Sequence, residues 1–161
     1  MLKKYLHLEG GIVFIPGWGT WTKNIHTSAL AAAISECVRS VIVFDPNFGL
    51  PSFVNKKINR MIFKDREQTF NLILSSDVMM NVSMTDCHPM VNVEAQALGR
   101  ACLRRPLFLD ALEEHPYVEL TQVSDVTSVN EIRMTLERVL AVPLAERRDL
   151  ALDYQSQSER I

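Results

Sequence analysis

The chain reads as an α/β fold, a parallel sheet of about six strands with helices on both faces. Three observations carry that reading. Short, continuously apolar runs such as Gly11-Ile12-Val13-Phe14-Ile15 suit strands buried on both faces, the condition met in a parallel sheet. These runs alternate with segments whose apolar residues recur at helical spacing, giving the order strand, crossover helix, strand. With 161 residues, 47% hydrophobic and 22% charged, the chain fits one domain able to bury a core of its own.

The first strand, Gly11 to Ile15, is closed by Pro16 and Gly17, and a loop runs on to Lys23. Thr27 to Val38 places Ala29, Leu30, Ala32, Ala33, Ile34, Cys37 and Val38 on an apolar helical face among good helix formers. Val41 to Phe44 is a second strand, ended by the turn composition Asp45-Pro46-Asn47. Asn55 to Arg60 is expected to form a short polar helix and Met61 to Phe63 a third strand. Asp65 and Gln68 have capping-box spacing at the start of a helix from Glu67 to Leu74. Val78 to Val82 is the fourth strand. A helix from Asn92 to Leu98 follows, with Gly99 as its C-cap, and then Ala101 to Leu103 as a fifth strand. Tyr117 to Leu120 is read as a sixth. Ser128 or Asn130 caps a helix to Leu140 whose Ile132, Leu136, Val139 and Leu140 share a face. Pro143 interrupts it, and Ala145 to Gln155 resumes a helical pattern. No internal repeat or linker composition divides the chain, so residues 1–161 form a single Rossmann-like domain, with 1–10 and 156–161 as flexible ends.

Composition removes several function classes. A net charge of −2 and a pI near 6.1 give no electrostatic footprint for nucleic acid or an anionic membrane. Three cysteines without paired or ligand-like spacing argue against a disulfide framework and a zinc site, and suit a reducing cytoplasm. No apolar run approaches transmembrane length, and no continuous apolar segment follows the basic start of the chain. Gly17-Trp18-Gly19 lacks the spacing of a nicotinamide-binding turn. No metal site and no cofactor are expected.

In open α/β sheets, ligands bind beyond the carboxyl ends of the strands, so the loops after Ile15, Phe44, Phe63 and Ser83 are where chemistry is sought. The loop after the fourth strand carries Asp86-Cys87-His88-Pro89-Met90-Val91-Asn92-Val93-Glu94, two carboxylates across a turn that leads into a helix. An ionised carboxylate accepts hydrogen bonds from a vicinal diol, and helix N-terminal amides favour phosphate. The same acids also suit plain helix capping. Trp18 and Trp21 can stack on a base or sugar, or cover an interface.

Ser76 to Ser83, then Asp86 to Ala95 and Gly99-Arg100-Ala101, resemble the donor-binding C-terminal domain of retaining glycosyltransferases with the GT-B fold. The resemblance extends roughly from Gly11 to Leu140. It implies that Asp86 lies beside the donor sugar ring, and that Glu94 accepts hydrogen bonds from the ribose hydroxyls of a nucleotide-diphosphate sugar. The backbone around His88, Pro89, Met90 and Val91 would face sugar hydroxyls or the diphosphate. In these enzymes an Arg and a Lys after the first strand meet the phosphates. Lys23 matches the Lys, with Gly17 in the same loop, but Trp18 stands where the Arg is expected. Asp86 replaces the more usual Glu, and Cys87 the usual Gly. Asp86 and Lys23 are thus the implied catalytic residues, with Glu94, His88, Pro89, Met90, Val91, Trp18 and Gly17 holding the substrate. The family places its acceptor site in an N-terminal Rossmann domain, supplied in cis or in trans, and a homodimer is another way to cover the exposed edge. A degenerate site that binds without turnover, or a doubly wound interaction domain with an accidental motif, remains a reading of the same residues.

Overall fold

The computed structural model describes residues 10–17, 20–85, 90–107 and 112–160. Within them, β1 (Gly11–Ile15), β2 (Val38–Val43), β3 (Ile58–Arg60), β4 (Val78–Asn81) and β5 (Cys102–Arg104) form one parallel sheet in the order β3-β2-β1-β4-β5. The helices are α1 (Ile25–Ile34), α2 (Ser52–Asn55), α3 (Arg66–Ser75), α4 (Met90–Ala97), α5 (Pro116–Thr121), α6 (Val129–Ala141) and α7 (Leu144–Ser158). A single 3₁₀ turn, Trp21–Lys23, precedes α1.

Alternation along the central strands sorts the core into two layers. Val13 and Ile15, Val41 and Val43, Val78 and Met80, and Leu103 point to one layer, which also holds Ala29, Ala32 and Ala33 of α1 and Ile132, Leu136 and Val139 of α6. Phe14, Met79 and Cys102 point to the other, under Ile73 of α3 and Ala95 of α4. Both faces are buried, which is why β1 and β4 read as unbroken apolar runs. The helix ends follow local chemistry. Asp65 Oδ1 accepts from Gln68 N at 2.8 Å, Ser128 accepts from Glu131 N, and Gly99 ends α4 at φ +65°.

The sheet has five strands among the described residues; α1 ends at Ile34, so Val38 opens β2 instead of closing the first helix, and two further stretches of the chain are corrected. Tyr117 to Leu120 is part of α5, not a sixth strand. His115 caps this helix, its Nδ1 accepting from Tyr117 N at 3.0 Å, and Pro116 fills the first helical position. The aromatic and β-branched residues that suggested a strand serve instead to bury Tyr117 and Val118. Near Ile58, the helix comes earlier, at Ser52–Asn55, and β3 occupies part of the stretch expected to be helical. Met61-Ile62-Phe63 lies beyond β3, where Ile62 is exposed and the Phe63 ring packs edge-on against Phe44 at 5.5 Å.

Candidate functional site

The chain leaves β1 toward β2 on one side of the sheet, while β4 is followed by β5 on the other, so the strand order reverses between β1 and β4. These two strands are paired neighbours, Val13 with Val78 and Phe14 with Met79. Their carboxyl ends open the crevice where such sheets take ligands.

The loop after β1 brings Gly17 and Lys23 together. A Cβ at Gly17 would lie 3.0 Å from Ile25 Cδ1 and 3.5 Å from Lys23 Cβ, so glycine lets the loop close on the start of α1. Lys23, half-buried, ends the 3₁₀ turn. Asn24 follows in the left-handed conformation at φ 52° and is nearly fully buried. Its side-chain amide donates to Val82 O at 3.0 Å and to Val126 O at 2.6 Å. Met84 N donates to Thr22 O at 2.8 Å, and Arg105 Nη1 donates to Met84 O at 2.8 Å. The loop that carries Lys23 is thereby fastened to the loop that leaves β4.

α4 begins at that second loop. Met90 is exposed at its first position, Val91 packs toward the α3 layer, and Glu94 lies one turn further on. The Glu94 side chain is only 15% exposed, and its Oε1 accepts from Arg66 Nη2 at 2.8 Å. Arg66, at the start of α3, is 69% exposed and lies over the Phe70 ring at 5.2 Å. Beneath, Asn81 Nδ2 donates to Asn92 Oδ1 at 3.1 Å, joining the end of β4 to α4, and Cys102 Sγ donates to the same oxygen at 3.3 Å. Ser83 Oγ and Asn92 Nδ2 are buried in this region with no hydrogen-bond partner among the described residues.

Of the residues the sequence singled out, Gly17 and Lys23 lie in the loop after β1, while Met90, Val91 and Glu94 lie on α4, which follows the loop after the neighbouring β4. Trp18, Asp86, His88 and Pro89 lie outside the described residues. Sequence reasoning missed Asn24 as the fastening of the two loops and the Asn81–Asn92 pair as the seat of α4. An asparagine at the end of the apolar run Val78-Met79-Met80-Asn81 was the available signal, since a polar side chain buried there needs a partner.

Elsewhere, an open groove of about 1010 Å³ lies between α5 and α6, lined by Glu113, Glu114, Glu119 and Glu131 with Arg138. Its acidic walls oppose a phosphate ligand, which leaves the crevice as the better place for one. No helix among the described residues is long and apolar enough to cross a membrane.

No family model matches the chain, and no curated protein matches it. Solved structures do. An α,α-trehalose-phosphate synthase (UDP-forming) from Burkholderia xenovorans, in complex with glucose-6-phosphate, is 15% identical with a TM-score of 0.73, covering 99% of this chain and 42% of its own. WaaG, a glycosyltransferase involved in lipopolysaccharide biosynthesis, is 16% identical with a TM-score of 0.67, covering 97% and 44%. The catalytic domain of cholesterol-α-glucosyltransferase from Helicobacter pylori is 14% identical with a TM-score of 0.64, covering 93% and 98%. The chain thus spans about two-fifths of the length of the synthase and of WaaG. At these identities the likeness is one of fold, and the fold of this chain is that of the C-terminal Rossmann-like domain of the GT-B glycosyltransferases.

Proposed function

We propose that this chain is the donor-binding half of a glycosyltransferase, taking a nucleotide-diphosphate sugar for retaining transfer of a hexose to an acceptor held by a separate N-terminal Rossmann half, in cis or in trans. The observation that supports the reading is that the loop carrying Lys23 is hydrogen-bonded, Met84 N to Thr22 O, to the loop that leaves β4 toward the Glu94-bearing α4, and that β1 and β4 are paired neighbours at the reversal of strand order. Structural neighbours that include a UDP-forming synthase, a glucosyltransferase and a glycosyltransferase of lipopolysaccharide biosynthesis agree with it.

In this reading each end of the donor meets different chemistry. Glu94 accepts hydrogen bonds from the ribose diol, for which a largely buried carboxylate is a strong acceptor. Lys23 and the amides at the start of α4 stabilise the negative charge that grows on the departing diphosphate. Asp86 lies beside the donor ring, with His88, Pro89 and Trp18 around it. The domain positions the donor and the other half presents the acceptor, so proximity supplies much of the rate. Residues 1–161 act as one domain in the cytoplasm, without a metal or a cofactor, and either the acceptor half or a second copy covers the exposed edge.

The test is thermal and calorimetric. A nucleoside diphosphate at 100 times its Kd should stabilise the chain by about 2.7 kcal/mol. Glu94→Ala should remove most of that stabilisation, and Lys23→Ala should weaken the diphosphate while sparing the nucleoside. No shift with uridine, adenosine or guanosine diphosphate at millimolar concentration would refute the reading. A second reading, a module that binds without turnover, is favoured by the Arg66 guanidinium already seated on Glu94 and by Trp18 in the place of an Arg. Hexose transfer by the chain together with its N-terminal partner excludes it.

A further inference from the structure

We propose that Arg66 is a positioning residue for the nucleoside end of the site, setting the Glu94 carboxylate for the ribose hydroxyls and offsetting its charge near the diphosphate. The inference rests on the reading just given for Glu94. Arg66 touches that carboxylate through one contact, Nη2 to Oε1 at 2.8 Å, so Oε2 keeps its full acceptor capacity. The burial of the two partners is unequal. Glu94 is 15% exposed and Arg66 69%, so a largely buried carboxylate is held by a guanidinium that reaches in from solvent. An ion pair with one partner so exposed contributes little to folding. Its effect therefore falls on the ligand. A lone carboxylate beside a diphosphate repels it, and a neighbouring guanidinium removes most of that repulsion while keeping the acceptor atoms. Holding the carboxylate in one rotamer also lowers the ordering cost of binding. Arg66 comes from α3 and Glu94 from α4, so the contact couples the position of two helix N-terminal segments at one ligand. Phe70, whose ring lies 5.2 Å under the guanidinium, limits where Arg66 can swing.

The experiment is a double-mutant cycle on binding, read by isothermal titration calorimetry of the full chain. The probe is whichever of uridine, adenosine or guanosine diphosphate binds the wild type most tightly, together with its 2′,3′-dideoxy counterpart. Arg66→Ala is expected to weaken the ribonucleotide about 3- to 10-fold, as directly coupled contacts do. Arg66→Lys should restore part of the loss through charge alone. The same substitution in a Glu94→Ala background, or with the dideoxy probe, should change Kd by less than about twofold. A purely structural role would weaken all four combinations alike. The proposal is overturned if Arg66→Ala leaves the ribonucleotide Kd unchanged or tightens it, or if the loss persists without Glu94 or without the hydroxyls. When Glu94→Ala binds the nucleotide more weakly than the wild type does, such a result removes this proposal and leaves the functional reading standing. Absence of binding by the wild type removes both.

Discussion

Replacing Asn24 by glycine and, separately, by alanine divides two contributions of one residue. Asn24 sits at φ 52° and ψ 35°, and its amide donates to Val82 O and Val126 O. Asn24→Gly keeps the left-handed backbone without strain and deletes both hydrogen bonds. At about 1 kcal/mol net for each bond, and somewhat more where a buried carbonyl loses its donor, the loss is about 2–3 kcal/mol. Asn24→Ala deletes the same bonds and adds roughly 1–2 kcal/mol for a Cβ in the left-handed region. In a chain of this length each kcal/mol lowers Tm by roughly 2–4 °C, so the glycine variant should melt about 4–12 °C below wild type and the alanine variant lower again. Urea unfolding followed by tryptophan fluorescence, at unchanged m-value, gives the free energies directly. If the alanine variant equals or exceeds the glycine variant in stability, the strain argument fails. If both lie within about 0.5 kcal/mol of wild type, the two bonds do not fasten the loop after β1, and the account of how Lys23 is held falls with them.

Three other perturbations have defined outcomes. The phenol of buried Tyr117 accepts from Cys102 N at 3.0 Å, a backbone donor on an edge strand, so Tyr117→Phe should lower unfolding free energy by about 1–3 kcal/mol, read as a shift in urea midpoint. Burial pushes the Cys102 thiol up from 9.0 to about 12, and a neutral form favoured in the folded state contributes stability that is complete below pH 9 and lost as pH rises toward 12. The loss should run at about 1.4 kcal/mol per pH unit in that window, and Cys102→Ala should remove this share of the slope between pH 9 and 10 in urea titrations. Gly99→Ala places a Cβ at φ +65° and 2.7 Å from Arg148 Cγ, and should cost about 1–2 kcal/mol even after Arg148 moves aside, whereas an unchanged Tm would show that α4 ends without needing that geometry.

What the sequence made legible is what local chemistry decides. β1, β2, β4 and β5 are found as apolar runs because both faces of the central sheet are covered. Asp65 and Ser128 are found as caps because each bonds an amide three residues along the chain. β3 was displaced because it is an edge strand in which Ile58 alone is buried, so it carries little apolar signal, while the stronger signal at Met61-Ile62-Phe63 serves a contact with Phe44. α5 was misread because Tyr117 and Val118 suit a strand by propensity, and only the His115 cap and Pro116 oppose it. At the site, Glu94 and Lys23 were reachable from spacing and resemblance. Asn24 and Arg66 were not assigned their contacts, since their partners lie 58 and 28 residues away and only the β1/β4 pairing and the α3/α4 layer bring them close.

The position of Arg66 bears on the departure that the sequence raised most sharply. With Trp18 where an Arg is expected, a guanidinium from elsewhere was one way to supply the missing positive charge to a diphosphate. The Arg66 guanidinium is committed to Glu94, at the end of the site that the proposed function assigns to the ribose. On the proposed function, Lys23 and the amides at the start of α4 then carry the diphosphate between them. A lysine offers a point charge where an arginine offers a planar, bidentate fork, so it attracts phosphate without fixing its orientation. Loss of one oriented donor at a developing charge costs about 10²-fold or more in rate while leaving ground-state attraction largely in place. On the proposed function the arrangement favours holding a donor over cleaving it: affinity concentrated at the Glu94–Arg66 end, and the demand for leaving-group stabilisation passed to whatever closes over the carboxyl edge of the sheet.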